Sequence, residues 1–193
     1  MINPVPVPPI IPYADVLAAA EAVGLKCVYP NGAAFAPASG DWAVAGFVTG
    51  DDATMRPAFR ARTRRVEQDD LAGLVARTTF AVLAATEAWL APVHHWAAEL
   101  DHGTDDAGGT TADAFERIGV DVASLRGRRQ ADGVAFETSS HLERVLADLL
   151  PRLWKTDFTL VLPGVAAVAT LHHHRQLWWR CADAGVADRL LQS

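Results

Sequence analysis

The segment DDLAGLVARTTFAVLAATEAWLAPVHHWAAEL, residues 69–100, dominates the fold prediction because it is long, rich in alanine and apolar along one side. Asp69 and Asp70 stand at its start, where the helix dipole favours negative charge. In its second half the apolar side chains and the charged or imidazole side chains fall on opposite arcs of a helical projection. The segment therefore predicts a long amphipathic helix, which Pro92 kinks or splits near Leu90.

Shorter helices are predicted on both sides of this segment from capping residues and from glycine or proline stop signals. Ser140 and Glu143 have the spacing of a capping box for SHLERVLADLL. The predicted helices run from Tyr13 to Val23, from Thr110 or Thr111 to Ile118, from Ser140 to Pro151, and from about Gly164 to Ala184. Most of the chain is therefore expected to be helical.

Two strands and an extended arm are predicted near the N-terminus. β-Branched and aromatic residues bounded by proline, asparagine and glycine indicate strands in LKCVYP (25–30) and AVAGFVTG (43–50), and DFTLVLP (157–163) is a further candidate. Residues 1–12 hold five prolines with valine and isoleucine between them, which predicts a polyproline-like arm lying against its own domain or a neighbour.

The expected fold class is mainly α: a helical bundle with a small N-terminal β segment (α+β) and an extended Pro-rich arm. The arm covers residues 1–12, and a single mostly helical domain covers residues 13–193, with strands near 25–50. The length suits one domain with an appendage.

The composition excludes several classes of function. The net charge of −6 gives no general attraction to nucleic acid or anionic lipid, so neither is expected as a partner. No run of eighteen apolar residues predicts a membrane span. The chain has only two cysteines, Cys27 and Cys181, and they form no CxxC motif. This sparse use of cysteine is typical of a protein from a reducing compartment. Whether the two cysteines pair stays open. We expect a cytoplasmic protein, or a virion component if a phage encodes it.

Seven histidines are the most prominent candidates for chemistry. His94, His95 and His102 fall on the polar arc of the predicted long helix, where a solvated face is the simpler interpretation. His174 falls on the apolar arc of the predicted last helix, among Leu171, Leu177, Trp178 and Cys181, so we expect it to be buried. A buried neutral imidazole needs a hydrogen-bond partner, or serves as a metal ligand or base.

The segment HHHRQLWWRCADAGV resembles the last core helix of the DinB-like metal-binding four-helix bundles, over about residues 165–185. His174 matches the second histidine of their His-x3-His pair, and Thr170 stands where the first one would be. His94 or His95 matches the ligand from an earlier helix. The resemblance implies a metal-dependent enzyme with a divalent transition metal, such as zinc or nickel, at His174, His95 and His94.

Other signals favour protein binding without catalysis. The chain has no P-loop, GxGxxG, GxSxG or HExxH motif. Arginines cluster at residues 56–65, followed at once by acidic residues that can pair with them. The expected function is a non-catalytic structural or adaptor protein without a cofactor, binding protein subunits of its own or another kind, as in a phage or capsid-type assembly. The predicted partner-binding residues are Pro4, Val5, Pro6, Val7, Pro8, Pro9, Arg60 and Arg64.

Overall fold

A computed structural model of the protein describes residues 7–50, 62–101 and 108–193. The strands in these ranges are β1 (Ile10–Ile11), β2 (Leu25–Cys27), β3 (Phe35–Pro37), β4 (Ala43–Val48), β5 (Thr63–Arg65), β6 (Ala88–Pro92), β7 (Gly133–Phe136), β8 (Phe158–Val161), β9 (Ala167–His172) and β10 (Gln176–Cys181). The α-helices are α1 (Tyr13–Ala22), α2 (Gln68–Arg77), α3 (Trp96–Glu99), α4 (Thr111–Glu116), α5 (Val122–Arg126), α6 (Ser139–Leu149) and α7 (Ala184–Gln192). A π-helical turn, Thr78–Val82, follows α2, and a 3-10 turn, Leu150–Arg152, follows α6.

Eight strands form one mixed sheet in the order β1-β7-β6-β8-β9-β10-β4-β5, and β2 and β3 form a separate hairpin. All neighbours in the large sheet are antiparallel except β4 and β5, which are parallel. The expected helical bundle is therefore wrong, and the fold is α+β around a large sheet. The strand predictions near 25–30, 43–50 and 157–163 are confirmed by β2, β4 and β8.

The sheet has a different cover on each face. On one face, strand residues such as Phe158 and Leu160 join the largest apolar cluster, with side chains from α2 to α7. The other face packs against α1 and the β2–β3 hairpin; there Val161 contacts the cluster that includes Val16, and Thr159 Oγ1 donates to the carbonyl of Ala33. The molecule is thus built in three layers, with the sheet in the middle.

The predicted long helix over 69–100 breaks into three pieces of different structure. Its start is helical, in α2 and the π-helical turn; β6 follows, and the segment becomes helical again only in the four-residue α3. In β6, Ala88 and Leu90 face the helices while Trp89 and Ala91 face α1 and the hairpin. A strand buried on both faces is apolar throughout, so its sequence lacks the alternation that would separate it from a helix.

The predicted last helix, 164–184, is wrong in a similar way, because these residues form the β9–β10 hairpin. Ala169, Leu171, Leu177, Trp179 and Cys181 all face the main core, at every second position of their strands. This period of two is the strand period. The helix that follows, α7, starts later, where the Asp183 carboxylate accepts from the Gly185 amide.

Capping explains where the helices of the second half begin. Thr110 and Asp113 form a reciprocal capping box at α4. The N-cap of α6 is Thr138, whose hydroxyl accepts from the His141 amide, so the predicted box at Ser140 is displaced by two residues. None of the helices in the described ranges combines the length and hydropathy needed to cross a bilayer.

The described part of the N-terminal arm lies against its own domain. Pro8 is buried, the Pro9 carbonyl accepts from the Ala135 amide at 3.0 Å, and Ile10 and Ile11 pair with β7. Residues 1–6 lie outside the described ranges. The arm therefore supplies the edge strand of the sheet, flanked by prolines that have no N–H to offer another strand.

Candidate metal centre

Three consecutive histidines lie where β9 ends and a tight turn leads to β10. His172 pairs with Gln176, so the turn itself consists of His173, His174 and Arg175. Arg175 has φ of 57°, the left-handed conformation that closes three-residue hairpin loops and that is usually left to glycine. A non-glycine residue in this conformation persists where surrounding contacts hold it.

Contacts from three separate parts of the chain hold this turn. Thr49 Oγ1, just after β4, donates to the Arg175 carbonyl at 2.9 Å. Arg175 Nη1 donates to Gln68 Oε1 at the start of α2, at 2.6 Å. The His173 amide donates to Asp157 Oδ1 at 2.8 Å. The turn is therefore held from both sides of the hairpin, by Asp157 next to β9 and by Thr49 and Gln68 next to β10.

The three imidazole rings lie together at this end of the sheet. The ring centroids are 4.2 Å apart for His172 and His173, 4.3 Å for His173 and His174, and 4.8 Å for His172 and His174. Each residue offers one ring nitrogen such that all three nitrogens lie within 4.8 Å of one another. His172 and His173 are half-buried and His174 is exposed. We call these three residues the histidine triad.

Asp157, the residue before β8, is the carboxylate partner of the triad. Its Oδ1 accepts from His173 Nδ1 at 2.8 Å, and its Oδ2 lies 3.8 Å from His172 Nε2. A hydrogen bond at Nδ1 leaves Nε2 as the nitrogen through which His173 can bind an ion. Asp157 therefore engages His173 at the ring nitrogen that an ion bound at Nε2 does not use.

The donor set fits a divalent transition metal. Imidazole nitrogen suits zinc, copper and nickel, whereas magnesium and calcium prefer oxygen. Nitrogens bound to one zinc ion in a tetrahedral arrangement lie about 3.3 Å apart. The triad nitrogens, within 4.8 Å of one another, would have to close by about 1.5 Å at most. This closure requires small rotations of the imidazole rings, of which that of His174 is exposed.

The other candidate ligands, His94 and His95, have different partners. His94 Nδ1 lies 2.7 Å from Glu99 Oε1, and its ring meets the edge of the Tyr29 ring at 4.7 Å. Glu99 is only 1% exposed and also accepts from the Thr156 hydroxyl. His95 is the N-cap of α3, its Nδ1 accepting from the Ala98 amide at 3.2 Å.

In the ranges that the structure describes, the triad is the one group of three or more histidine, cysteine or acidic side chains close enough to share an ion. The predicted grouping of His174 with His94 and His95 does not occur there, and His102 lies outside these ranges. His141 lies on α6 against Phe136, where burial lowers its pKa.

The predicted burial of His174 is wrong, since it lies in a turn rather than on a helix. The sequence contains a signal for this: AVATLHHHRQLWWRC has alternating core residues on both sides of the histidine run. The role of Asp157 has no such signal. It lies fifteen residues before His172 and reaches the triad only because Phe158 of β8 pairs with Leu171 of β9.

The cysteines do not take part in this site. Both are unpaired; Cys27 lies in the small hairpin and Cys181 is buried in β10. Burial, with a smaller effect from Asp183, raises the pKa of the Cys181 thiol to about 12. Cys181 is therefore protonated at neutral pH, which makes it neither a nucleophile nor a ready ligand.

The predicted partner-binding residues are spread over the molecule. Val7 is 61% exposed and Pro9 is exposed, whereas Pro8 is buried against the domain. Arg64, in β5, donates to the Ser193 carbonyl. Pro4, Val5, Pro6 and Arg60 lie outside the described residues.

Comparisons with family models, curated proteins and solved structures found no match for this chain. The resemblance to DinB-like bundles therefore stays a prediction, and the residues that suggested it lie mainly on two strands and their turn rather than on a helix.

Proposed function

We propose that this protein binds a divalent transition-metal ion, zinc or nickel, through His172, His173 and His174. The observation that carries the proposal is the triad itself: three imidazoles at the end of β9 and in the turn after it, each with a nitrogen within 4.8 Å of the other two. The turn is held by Thr49, Gln68 and Asp157, so the ligands are positioned before an ion arrives. Such preorganisation lowers the entropic cost of binding.

A binding role suits this position better than catalysis. Catalytic metal sites combine an open coordination position with a dry, shaped cavity around the substrate. The triad lies instead at a turn whose middle residue, His174, is exposed. A bound ion would meet water or another molecule at the protein surface. We therefore favour a non-catalytic protein whose metal site serves binding or assembly.

The first experiment is a calorimetric titration of the untagged full-length protein with zinc and nickel, because an affinity tag would add histidines. The wild type should bind saturably. The variant His172→Asn/His173→Asn/His174→Asn should show no saturable binding, because it lacks all three imidazoles while keeping polar side chains of similar size.

The matched control is His94→Asn/His95→Asn. Asparagine retains a donor for Glu99 and is a good N-cap for α3, so this variant should fold and bind metal like the wild type. Binding that survives loss of the triad, or that disappears only in the control variant, would show that the ion lies elsewhere. Absence of binding to the wild type would refute the proposal.

A further inference from the structure

We infer that a nickel ion is shared between two copies of this chain, each contributing its histidine triad, so that six imidazole nitrogens surround the ion. This inference rests on the proposed function, since without metal binding there is no ion to share. It names the partner as a second copy of the same chain, joined through the turns between β9 and β10.

The ligand count leaves the site incomplete within one chain. The triad supplies three nitrogens, whereas zinc takes four ligands and nickel accepts six. Asp157 is engaged through Oδ1 by the amide and Nδ1 of His173 and does not group with all three imidazole nitrogens. No other histidine, cysteine or acidic residue in the described ranges groups with the triad. The missing ligands must therefore come from water or from another molecule.

The position of the turn allows a second protein to approach. His173, His174 and Arg175 form the tip of a hairpin at one end of the sheet, and His174 is exposed there. Two such tips facing each other across a two-fold axis would place identical ligands on both sides of the ion. A two-fold interface of this kind is the commonest form of self-association, because each chain uses the same patch.

Other routes of self-association are disfavoured. Each chain carries a net charge of −6, so two copies without metal repel each other. At one edge of the sheet β1 is two residues long and lies next to Pro9 and Pro12. At the other edge β5 is three residues long. Short, proline-flanked edges resist pairing with another strand. A bound ion would supply an attraction between copies that these two edges do not offer.

The test measures mass and metal content together, on the untagged full chain. With half an equivalent of nickel per chain, light scattering after gel filtration should show twice the monomer mass, with one ion per two chains. Addition of EDTA should restore the monomer. His174→Asn should stay monomeric under the same conditions, and the control His94→Asn/His95→Asn should dimerise like the wild type.

The possible outcomes distinguish the shared ion from metal binding by a single chain. One ion per chain at monomer mass would overturn sharing and leave metal binding intact. A dimer that persists in EDTA, or one that His174→Asn still forms, would also overturn sharing. No bound metal in the wild type would overturn the proposed function itself.

Discussion

At the residue scale, Asp157 determines which nitrogen of His173 is available to an ion. Its carboxylate accepts from both the amide and the Nδ1 of His173, each at 2.8 Å. This arrangement fixes the ring and favours the tautomer with a free Nε2. Metal-binding histidines commonly donate their second ring N–H to a carboxylate in this way.

Asp157→Asn should therefore weaken zinc binding about 10- to 100-fold, the range typical of an outer partner of a metal ligand. Asparagine can still accept from the His173 amide, so the turn should keep its shape while the charge is lost. Calorimetric titration with zinc measures the change. The matched control is Asp183→Asn, which removes the same charge at the N-cap of α7, where asparagine is an equally good cap. Equal zinc affinities for the two variants would contradict this role.

The sequence identifies the histidines of the site but not what holds them. Residues 172–174 are three consecutive histidines, which the sequence shows directly. Thr49, Gln68 and Asp157 are distant in sequence, and each reaches the turn through the strand order of the sheet or through the packing of α2. Long-range pairing of this kind leaves no local pattern.

At the scale of elements, the errors of sequence prediction fall on apolar, alanine-rich strands. Both β6 and β9 contain residues that also form helices well, and both lie inside the sheet with neighbours on each side. The helices α1 and α6 were predictable because their signals are local: Gly24 ends the first, and a side-chain cap begins the second. Tertiary burial decided the structure of the central strands.

Because β10 is a strand, its two neighbouring tryptophans lie on opposite faces of the sheet. Trp179 is fully buried on the helix-covered face, whereas the neighbouring Trp178 lies on the other face, with its ring over Gly46, and is only partly buried. Trp179→Ala should cost about 3–5 kcal/mol of unfolding free energy, from lost burial and the cavity left behind. Trp178→Ala should cost less. Urea denaturation of both variants measures the difference.

Trp179→Phe serves as the control for size and polarity. The indole N–H of Trp179 is buried without a hydrogen-bond partner. Phenylalanine removes this unsatisfied donor and keeps an aromatic ring in the core. This variant should be clearly more stable than Trp179→Ala. If Trp178→Ala lowers the unfolding free energy more than Trp179→Ala does, the two side chains lie on the opposite faces from those described, as a register shifted by one residue would place them.

At the scale of the whole molecule, the N-terminal arm and the sheet depend on each other. The sequence predicted that the arm lies against protein surface, and residues 8–11 do lie against their own sheet. The sheet itself was not predictable, because its order brings β1 beside β7 and β4 beside β10 from opposite ends of the chain. Whether residues 1–6 bind a partner stays a prediction.

Two truncations separate the structural role of the arm from a binding role. Removing residues 1–12 deletes β1 and exposes the edge of β7. It also removes the apolar contacts that Ile10 and Ile11 make with the layers on the two faces of the sheet. Loss of two half-buried isoleucines should lower the unfolding free energy by about 2 kcal/mol, at roughly 25 cal/mol per Å² of apolar surface. The uncovered edge should also promote aggregation, since β7 would present unpaired N–H and C=O groups.

Removing only residues 1–6 leaves β1 and its pairing with β7 in place, so urea denaturation should give the wild-type unfolding free energy. If this shorter truncation destabilises the protein as much as the longer one, the arm does not stabilise the fold through its edge strand.

Metal-dependent dimerisation provides an independent measurement on the same two proteins. Because the triad lies at the β9–β10 turn rather than at the β1 edge, the shorter truncation should still dimerise with nickel. Failure to do so would place residues 1–6 in the contact between copies.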